Sequence, residues 1–230
     1  MNEKNPDFTR ICGRLREYGE KFEEFYRLLV MYNAAFNLTA ITQREEVIHK
    51  HFLDSLAGEA FLEEGASVVE VGSGAGFPSV PLAIVRKDLS FTLIESTGKK
   101  CDFLRTVARE LDLPLNVCQM RAEEAGRSPE FRERADIVIA RAVAPLPSLA
   151  EYCLPLVRVG GRMIAWKGSE DETAAAAHAV GVLGGKNMHV VRYDLPEGYG
   201  ARMLVIAEKA KPTPPKYPRG HGKERKDPIL

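Results

Sequence analysis

Residues 68–78, with the sequence VVEVGSGAGFP, decide how this chain folds. A mainly apolar run is followed by a turn that contains Gly72, Gly74 and Gly76, and then by Pro78. Such runs are typical of strands that helices bury on both faces, glycines permit a sharp turn, and proline suits the first turn of a helix. The stretch therefore predicts a buried strand, a glycine turn and a helix, with main-chain N–H groups that a small ligand can approach.

The spacing of the glycines and of two acids indicates which ligand this turn suits. A dinucleotide-binding turn has the pattern G-x-G-x-x-G beside a pyrophosphate, whereas this turn has G-x-G-x-G with Glu70 two residues before it. A carboxylate repels pyrophosphate and attracts an ammonium or sulfonium group. Glu95 ends the next predicted strand, where an acid can accept hydrogen bonds from ribose hydroxyls. These residues favour S-adenosylmethionine over NAD; a tight turn without a ligand is the structural alternative.

Short apolar runs alternate with helical patterns between residues 65 and 210. Seven runs are predicted as strands, at 68–71, 91–94, 116–119, 136–140, 161–166, 188–193 and 202–207. This alternation is typical of a parallel α/β sheet covered by helices. The last two runs flank the stretch 195–200, whose proline and glycines predict a hairpin. The expected fold class is α/β, with a mostly parallel seven-stranded sheet and an antiparallel last strand.

The residues before the sheet are expected to form an N-terminal helical cap. Apolar residues between positions 8 and 29 recur every three or four residues, which predicts one amphipathic helix, and a weaker pattern predicts a second helix over 47–56. The expected units are a cap at 1–64, a donor-binding α/β domain at 65–210 and a basic, proline-rich tail at 211–230. Because apolar periodicity stops in the tail, we expect it to be extended in the absence of a partner.

The composition is that of an ordinary globular chain: 230 residues, 45% hydrophobic and 28% charged. No apolar run approaches the roughly 18 residues of a membrane-spanning helix, and the polar stretch 1–10 lacks the apolar segment of a signal peptide. Cys12, Cys101, Cys118 and Cys153 show no C-x-x-C spacing, which argues against a zinc site or a disulfide framework and suits a reducing compartment. We therefore expect a cytoplasmic protein without a membrane or metal partner.

The zero net charge conceals an uneven distribution. Residues 209–230 include seven basic and two acidic residues, so this stretch carries +5 and the rest of the chain −5. A basic segment on an acidic body is suited to a polyanion, although it is also a common composition of solvated termini.

Four separated motifs carry a resemblance to one bacterial family. They are NLTAI at 37–41, HFLDSL at 51–56, GFP at 76–78 and YPR at 217–219. In this order they resemble the bacterial small-subunit (16S) ribosomal RNA 7-methylguanosine methyltransferases, the glucose-inhibited division protein B or methyltransferase G family. In addition, EVGSGAG at 70–76 is similar to the first motif of Rossmann-like class I methyltransferases. The resemblance implies that fold, S-adenosylmethionine as methyl donor, and 16S rRNA or the small ribosomal subunit as partner.

The resemblance and the ends of the predicted strands indicate the same donor-binding residues, because open α/β sheets bind ligands at the carboxyl ends of their strands. The candidates are Glu70, Gly72, Ser73, Gly74, Gly76, Phe77, Glu95, Ser96, Ala122, Glu123 and Arg141. Arg141 is also the candidate catalytic residue, since its guanidinium suits either the donor's carboxylate or an RNA phosphate. The structural alternatives are a pair between Arg141 and Asp136, and a solvated helix start at Glu123.

The segment after the fourth predicted strand bears on the acceptor atom. ARAVAP at 140–145 lacks the Asn-Pro-Pro-Tyr type of motif that suits an exocyclic amine, and Cys153 lies in an apolar helical stretch that favours packing over nucleophilic attack. A ring nitrogen such as N7 of guanine has a free lone pair and needs no general base. The alternatives are another RNA, a small molecule or a protein as acceptor, or a regulator that binds S-adenosylmethionine without turnover.

Basic residues near the predicted cleft and in the tail are the candidates for RNA binding. They are Arg121, Lys167, Lys216, Arg219 and Lys223, with Arg225 and Lys226 beyond them. Trp166 could stack on an extruded base, although a large aromatic residue at a strand end is more often part of the core. We expect the tail to affect RNA affinity and not donor binding, because the preceding strands are expected to build the donor site.

Overall fold

The computed structural model describes residues 5–230 and has a seven-stranded sheet at its centre. The strands are β1 (Ser67–Val71), β2 (Ser90–Glu95), β3 (Leu115–Gln119), β4 (Ala135–Arg141), β5 (Val157–Lys167), β6 (Gly185–Asp194) and β7 (Ala201–Lys209). Their order is β3-β2-β1-β4-β5-β7-β6; β1 to β5 are parallel, and β7 is antiparallel to both of its neighbours. The predicted fold class is confirmed, and each predicted strand lies within an observed one. Residues 1–4, the start of the predicted cap and of the polar N-terminal stretch, lie outside the described residues.

The two faces of the sheet contribute to two separate apolar cores. Along β4, Ile137 and Ile139 enter one core while Val138 and Ala140 enter the other, because successive side chains of a strand point to opposite faces. The covering helices are α5 (Ser79–Val85), α6 (Gly98–Glu110), α7 (Ala122–Ala125), α8 (Leu146–Cys153) and α9 (Thr173–Val182). Burial on both faces explains why the central strands, such as β1 and β4, are continuous apolar runs in the sequence.

The first part of the cap differs from its prediction. The single helix predicted over 8–29 is wrong, because two helices form there, α1 (Phe8–Glu17) and α2 (Gly19–Asn33). Between them Tyr18 has the non-helical angles φ −104° and ψ 24°, and Gly19 is a weak helix former. The apolar stripe is buried on both sides of this break, so apolar periodicity alone does not reveal it.

The second predicted helix of the cap corresponds to a continuous helical stretch with an unusual centre. It runs from α3 (Arg44–Val47) through a π-helical segment (Ile48–Leu53) to α4 (Asp54–Leu56). π-helical turns are rare and frequently occur at functional sites. Here the stretch brings His51 and Asp54 against the carboxyl end of β4.

The C-terminal segment is folded against the body, so the expectation of an extended tail is wrong. Tyr217 is buried, and Arg132 donates hydrogen bonds of 2.8 Å to the main-chain oxygens of both Thr213 and Tyr217. A short helix, α10 (Lys223–Lys226), follows. Prolines reduce the conformational entropy that the segment loses on ordering, and arginine side chains of the body satisfy its carbonyl groups.

Three observations on the described residues concern membrane helices, metal-holding groups and the buried Cys153. Within 5–230, no helix is long and apolar enough to cross a bilayer. Over the same residues, no group of three or more His, Cys, Asp or Glu side chains is arranged to hold a metal ion. Cys153 is fully buried, and burial raises the pKa of its thiol far above the ordinary value, so this residue packs and does not act as a nucleophile.

Candidate active site

A cavity of about 780 Å³ lies at the carboxyl ends of β1, β2 and β3. It is called the large cavity below, in contrast to a smaller one at the same edge of the sheet; a cavity of about 830 Å³ beside β6 lies away from these strand ends. The walls of the large cavity come from the ends of these strands, the start of α7, the loop after β4 and the C-terminal segment. Its volume is within the usual range of small-molecule sites, and open α/β sheets bind ligands at this edge.

The glycine turn after β1 forms one wall of the large cavity. Gly72 has φ +69°, and a Cβ atom there would lie 2.7 Å from Cγ2 of Val143 in the loop after β4. Gly76 has φ +88°, and a Cβ there would lie 2.6 Å from Cγ2 of Val80 in α5. Glycine is therefore required twice: once for the close approach of two loops and once for packing the helix against the turn.

Glu95 connects the turn to the large cavity. Its Oε2 atom accepts a hydrogen bond of 3.0 Å from the Gly74 N–H, and its Oε1 atom accepts one of 2.7 Å from the Thr97 N–H. A carboxylate has about four acceptor positions, so two remain for hydroxyl donors in the cavity. Glu95 can thus fix the turn and bind a ribose at the same time.

Glu70 has a different environment from the one predicted. Its side chain is fully buried beneath the turn, where Oε2 accepts a hydrogen bond of 3.2 Å from the Ser79 N–H at the start of α5. Burial raises the pKa of this carboxyl group to about 8. Glu70 is therefore mainly protonated at neutral pH and supports the turn from inside, which corrects the expectation that its charge attracts a sulfonium.

Five of the predicted donor-binding residues line the large cavity: Gly72, Glu95, Ser96, Ala122 and Glu123. The side chain next to them, Glu124, accepts a hydrogen bond of 3.0 Å from the Arg121 N–H and so caps α7. The predicted helix start is therefore present, with Glu124 as its capping residue and Glu123 at the cavity wall.

The other predicted donor-binding residues, apart from Arg141, lie behind this lining. The N–H of Ser73 donates to Ile94 O at 3.3 Å, and Gly74 and Gly76 shape the turn. Phe77 is buried, with its ring centroid 5.2 Å from that of Phe25 in the cap. These residues therefore position the wall of the cavity from behind.

Arg141, at the end of β4, is bound to the cap and does not line the large cavity. Its Nη1 atom donates to Oδ2 of Asp54 at 3.0 Å and to the main-chain oxygen of Lys50 at 3.1 Å. Its guanidinium carbon lies 5.1 Å from the centroid of the Phe77 ring. The alternative pair with Asp136 is wrong, because that carboxylate pairs with Arg158 at 2.6 Å and accepts hydrogen bonds from Ser67 at the start of β1.

His51 completes the contacts of Arg141. The Nη2 atom of Arg141 lies 2.9 Å from Nδ1 of His51, and Nε2 of His51 lies 3.0 Å from Oγ1 of Thr39. Burial and the Arg141 charge lower the pKa of His51 to about 3. A neutral imidazole that accepts at Nδ1 carries its proton on Nε2, so His51 donates to Thr39. The motifs at 37–41 and 51–56 are thereby joined in one network.

A second cavity of about 270 Å³, called the small cavity below, opens beside this network. Arg141, Asp54 and Lys167 are among its lining residues. Trp166 also lines it but is only 2% exposed, and its Nε1 atom donates to Asp54 O at 2.8 Å. Trp166 is therefore a core residue, as the structural alternative predicts, and its ring is not free to stack on an extruded base.

The predicted RNA-binding residues fall into two groups. Lys216 and Lys223 are exposed, and the exposed Arg121 lies at the large cavity. By contrast, Lys167 pairs with Glu172 at 2.7 Å, and Arg219 pairs with Glu151 at 2.8 Å. The guanidinium of Arg219 is thus already neutralised by an almost fully buried carboxylate.

The sequence interpretation missed two sets of residues. Asp54 and Thr39 lie inside the motifs at 51–56 and 37–41, so membership of these motifs could have indicated them as site residues. Gly220, His221, Gly222 and Arg225 also line the large cavity, which corrects the expectation that the preceding strands alone build it. No local sequence pattern predicts the contact of this segment with the glycine turn, because it joins residues about 150 positions apart.

The parallel sheet with its antiparallel β7, the glycine turn after β1 and the acid after β2 define a class I S-adenosylmethionine-dependent methyltransferase. The model of the GidB family, described as rRNA small subunit methyltransferase G, matches residues 18–197, and this chain belongs to that family. The predicted family resemblance is confirmed. The chain is accordingly an S-adenosylmethionine-dependent rRNA methyltransferase, of a family whose activity is methylation of a guanine at N7 in 16S rRNA.

Curated relatives are similar over most of their length. The chain is 47% identical to the ribosomal RNA small subunit methyltransferase G of Symbiobacterium thermophilum, covering 86% of this chain and 85% of the relative. It is 44% identical to the protein of that name from Brevibacillus brevis, covering 92% and 91%. Among solved structures, an S-adenosylmethionine-dependent O-methyltransferase from Thermotoga maritima has a TM-score of 0.54 at 14% identity, covering 81% of this chain and 72% of that chain. This last likeness shows the fold.

Proposed function

We propose that this chain transfers the methyl group to N7 of a guanine in 16S rRNA with the donor in the large cavity and the guanine at the small cavity. The observation that carries this arrangement is the position of two adjacent residues in the loop after β4. Ala142 lines the small cavity and Val143 lines the large one. Ligands held in the two cavities would meet at this loop, as an in-line displacement requires.

The residues of the large cavity fit S-adenosylmethionine. Glu95 offers its free acceptor positions to ribose hydroxyls, and Ile94, Met120 and Ala122 offer apolar surface to an adenine ring. Gly72 leaves the backbone open to a ligand. When bound, the donor supplies a methyl group that its sulfonium activates for attack. The proposed donor-binding residues are Gly72, Glu95, Ser96, Ala122 and Glu123.

The small cavity has the charge that an RNA acceptor needs. Among the described residues that line it, Lys50, Arg141, Lys167 and Arg202 are cationic, and Asp54 is acidic. Lys50, Arg141 and Lys167 are each paired with a carboxylate, of Glu46, Asp54 and Glu172 respectively, so an RNA phosphate would share these cations with their present partners. A guanidinium can hold a phosphate or the O6 atom of guanine through paired hydrogen bonds. Because Arg141 lines this cavity and not the large one, we assign the candidate catalytic residue to the RNA and not to the donor.

No general base is required for this acceptor. N7 of guanine has a lone pair and no proton, so the protein has to align the base with the donor and exclude water. His51, which contacts Arg141, fits this requirement: its lowered pKa keeps it neutral at physiological pH, and both ring nitrogens are engaged. It positions Arg141 and accepts no proton from the substrate.

Three parts of the chain would have different roles in binding the donor and the RNA. The cap at 1–64 would form the acceptor side, the α/β domain at 65–210 the donor side, and the segment at 211–230 a basic surface beside both. Exposed Lys216 and Lys223, with Arg121, are the proposed phosphate contacts. The proposed partner is 16S rRNA, free or in the small ribosomal subunit, and the proposed location is accordingly the cytoplasm.

The test incubates the full chain with a methyl-labelled donor and, in parallel, naked 16S rRNA, small ribosomal subunits or cell extract. Label at guanine N7, located by borohydride reduction and aniline cleavage, is the expected result. Arg141→Lys should lose most of the transfer, because an ammonium lacks the paired donors; Arg158→Lys, at an exposed pair with Asp136, is the control. Label only in another RNA, a protein or a small molecule would replace this acceptor, and donor binding without transfer would favour a regulator.

A further inference from the structure

The C-terminal segment forms a wall of the large cavity. Gly220, His221, Gly222 and Arg225 line it together with Glu95, although this segment follows β7, which lies four strands away from β2 in the sheet. We infer that this segment is part of the donor site, held in place by Arg219, and that Arg225 binds the donor's methionine carboxylate. The inference rests on the proposed function, since it requires the donor to occupy the large cavity.

A buried ion pair holds the segment on α8. The Nε and Nη2 atoms of Arg219 donate to the Glu151 carboxylate at 3.0 and 2.8 Å, and the Arg219 N–H donates to Oε1 of Glu151 at 2.8 Å. The side chain of Glu151 is only 1% exposed. Three hydrogen bonds to one buried carboxylate fix both the side chain and the backbone of Arg219.

Arg127, a residue of the cavity wall, holds the main chain of the same segment. Arg127 donates from Nε to Pro218 O at 2.7 Å and from Nη2 to Arg219 O at 2.8 Å, and Arg127 itself lines the large cavity. Pro218 lies so close to the body that a Cβ on Gly126 would be 3.0 Å from its Cγ atom. The segment therefore has a defined position beside the cavity.

The turn after Arg219 directs Arg225 back to the glycine loop. The Gly220 N–H donates to the buried carboxylate of Glu224, which closes the turn before α10. Arg225 then donates from Nη2 to Val143 O at 2.5 Å. Val143 is the residue whose side chain contacts the open face of Gly72, so the segment reaches the turn that a donor must approach.

Charge indicates which part of the donor Arg225 meets. Other described side chains of the same cavity include the carboxylates of Glu95, Glu123 and Glu124, which suit hydroxyl and ammonium groups and repel a carboxylate. The methionine part of the donor carries a carboxylate, for which a guanidinium is the best-matched partner. Three arginines among the described residues line this cavity: Arg121, Arg127 and Arg225. Arg127 already uses two donor groups on the segment, whereas Arg225 donates once, to Val143, whose side chain lies against Gly72 in the turn that a donor must approach.

Calorimetry with paired ligands tests the inference. S-adenosylhomocysteine contains the methionine-derived carboxylate, and 5′-methylthioadenosine lacks it while keeping the adenosine. Arg225→Ala should weaken S-adenosylhomocysteine binding about tenfold or more, the effect of one charge-assisted contact, and leave methylthioadenosine binding unchanged. Lys226→Ala, on the same short helix but outside the cavity lining, is the matched control. Unchanged affinity in Arg225→Ala, or equal weakening of both ligands, would overturn the assignment.

Trypsin protection of the wild-type chain gives a second readout that needs no variant. Because binding and segment order are linked reciprocally, S-adenosylhomocysteine should slow cleavage after Lys223 and Arg225, and methylthioadenosine should slow it less. Identical cleavage rates with and without the ligand would count against the segment as a wall. A wild-type chain that binds neither ligand, or a Glu95→Gln variant that binds both normally, would instead refute the donor site of the proposed function.

Discussion

Asp54 in the cap accepts a hydrogen bond of 3.0 Å at Oδ2 from Nη1 of Arg141 at the end of β4. Its Oδ1 atom accepts from the Tyr193 hydroxyl at 2.8 Å, and its main-chain oxygen accepts from Trp166 Nε1 at 2.8 Å. One residue of the cap is thus bound to β4, β5 and β6. These contacts lie at the edge where both cavities open, so the position of the cap and the orientation of Arg141 depend on each other.

Asp54→Ala should lower the free energy of unfolding by about 3 to 5 kcal/mol, because it leaves the buried Arg141 charge without its partner. Urea unfolding measures this change. Glu23→Ala, which removes an exposed pair with Arg44, is the control and should have little effect. If the two variants lost similar stability, the buried network would be no stronger than a surface pair.

Glu95→Gln should reduce S-adenosylhomocysteine affinity about 10- to 100-fold, because charge-assisted hydrogen bonds to the ribose are replaced by weaker neutral ones. Isothermal titration calorimetry gives the affinity directly. Glu110→Gln, at an exposed pair with Arg109, should bind normally. Normal binding by a folded Glu95→Gln variant would place the ribose elsewhere.

Gly72→Ala should weaken donor binding for two separable reasons. A residue with a Cβ is strained at φ +69° by about 1 to 2 kcal/mol, and the new methyl group would meet Val143 at 2.7 Å. The double variant Gly72→Ala, Val143→Ala relieves the contact and keeps the strain, so it should recover part of the affinity. Comparing the three affinities by calorimetry separates the two causes; no recovery would mean that backbone strain alone accounts for the loss.

Glu70→Gln should change how stability depends on pH. The pKa of Glu70 is about 8 in the folded protein, so its stabilising effect is complete below the ordinary carboxyl pKa and is lost as pH rises towards 8. The variant does not titrate, so its stability relative to wild type should rise with pH between about 5 and 8, by up to 1.4 kcal/mol per unit. Urea unfolding of both proteins at three pH values measures this difference. If Glu70 were ionised at neutral pH, the unfolding free energies of wild type and variant would change with pH in parallel.

Much of the fold could be predicted from the sequence because it depends on local patterns. Strands buried on both faces appear as apolar runs. The glycine turn directly follows β1, and Glu95 ends the next strand, so both could be located from the sequence. The break at Tyr18 could not be predicted, because the apolar stripe passes through it without interruption. Apolar periodicity reports which face is buried and not whether the backbone is continuous.

The site was predicted less completely because several of its contacts join distant residues. The pairing of Arg141 with Asp54 spans 87 positions, and that of Arg219 with Glu151 spans 68. The sequence predicted these arginines as candidate site residues but could not indicate which carboxylate each one pairs with. Glu70 shows the same limit: its position in the motif was evident, while its burial, and therefore its protonation, depends on the packing of α5.

Arg219→Ala should lower stability, and Lys223→Ala should instead change the salt dependence of RNA binding, although both remove a basic residue of the same segment. Arg219→Ala strands the buried Glu151 carboxylate, so unfolding free energy should fall by about 3 kcal/mol, and adding Glu151→Gln should restore part of it. Lys223 is exposed, so Lys223→Ala should leave stability unchanged and flatten the salt dependence of RNA binding by about 0.7 to 0.9 in the log-log slope.

Filter binding at four salt concentrations and urea unfolding, applied to both variants, would measure the two effects. A larger change of salt slope in Arg219→Ala than in Lys223→Ala would show that Arg219 reaches RNA phosphate despite its pair with Glu151.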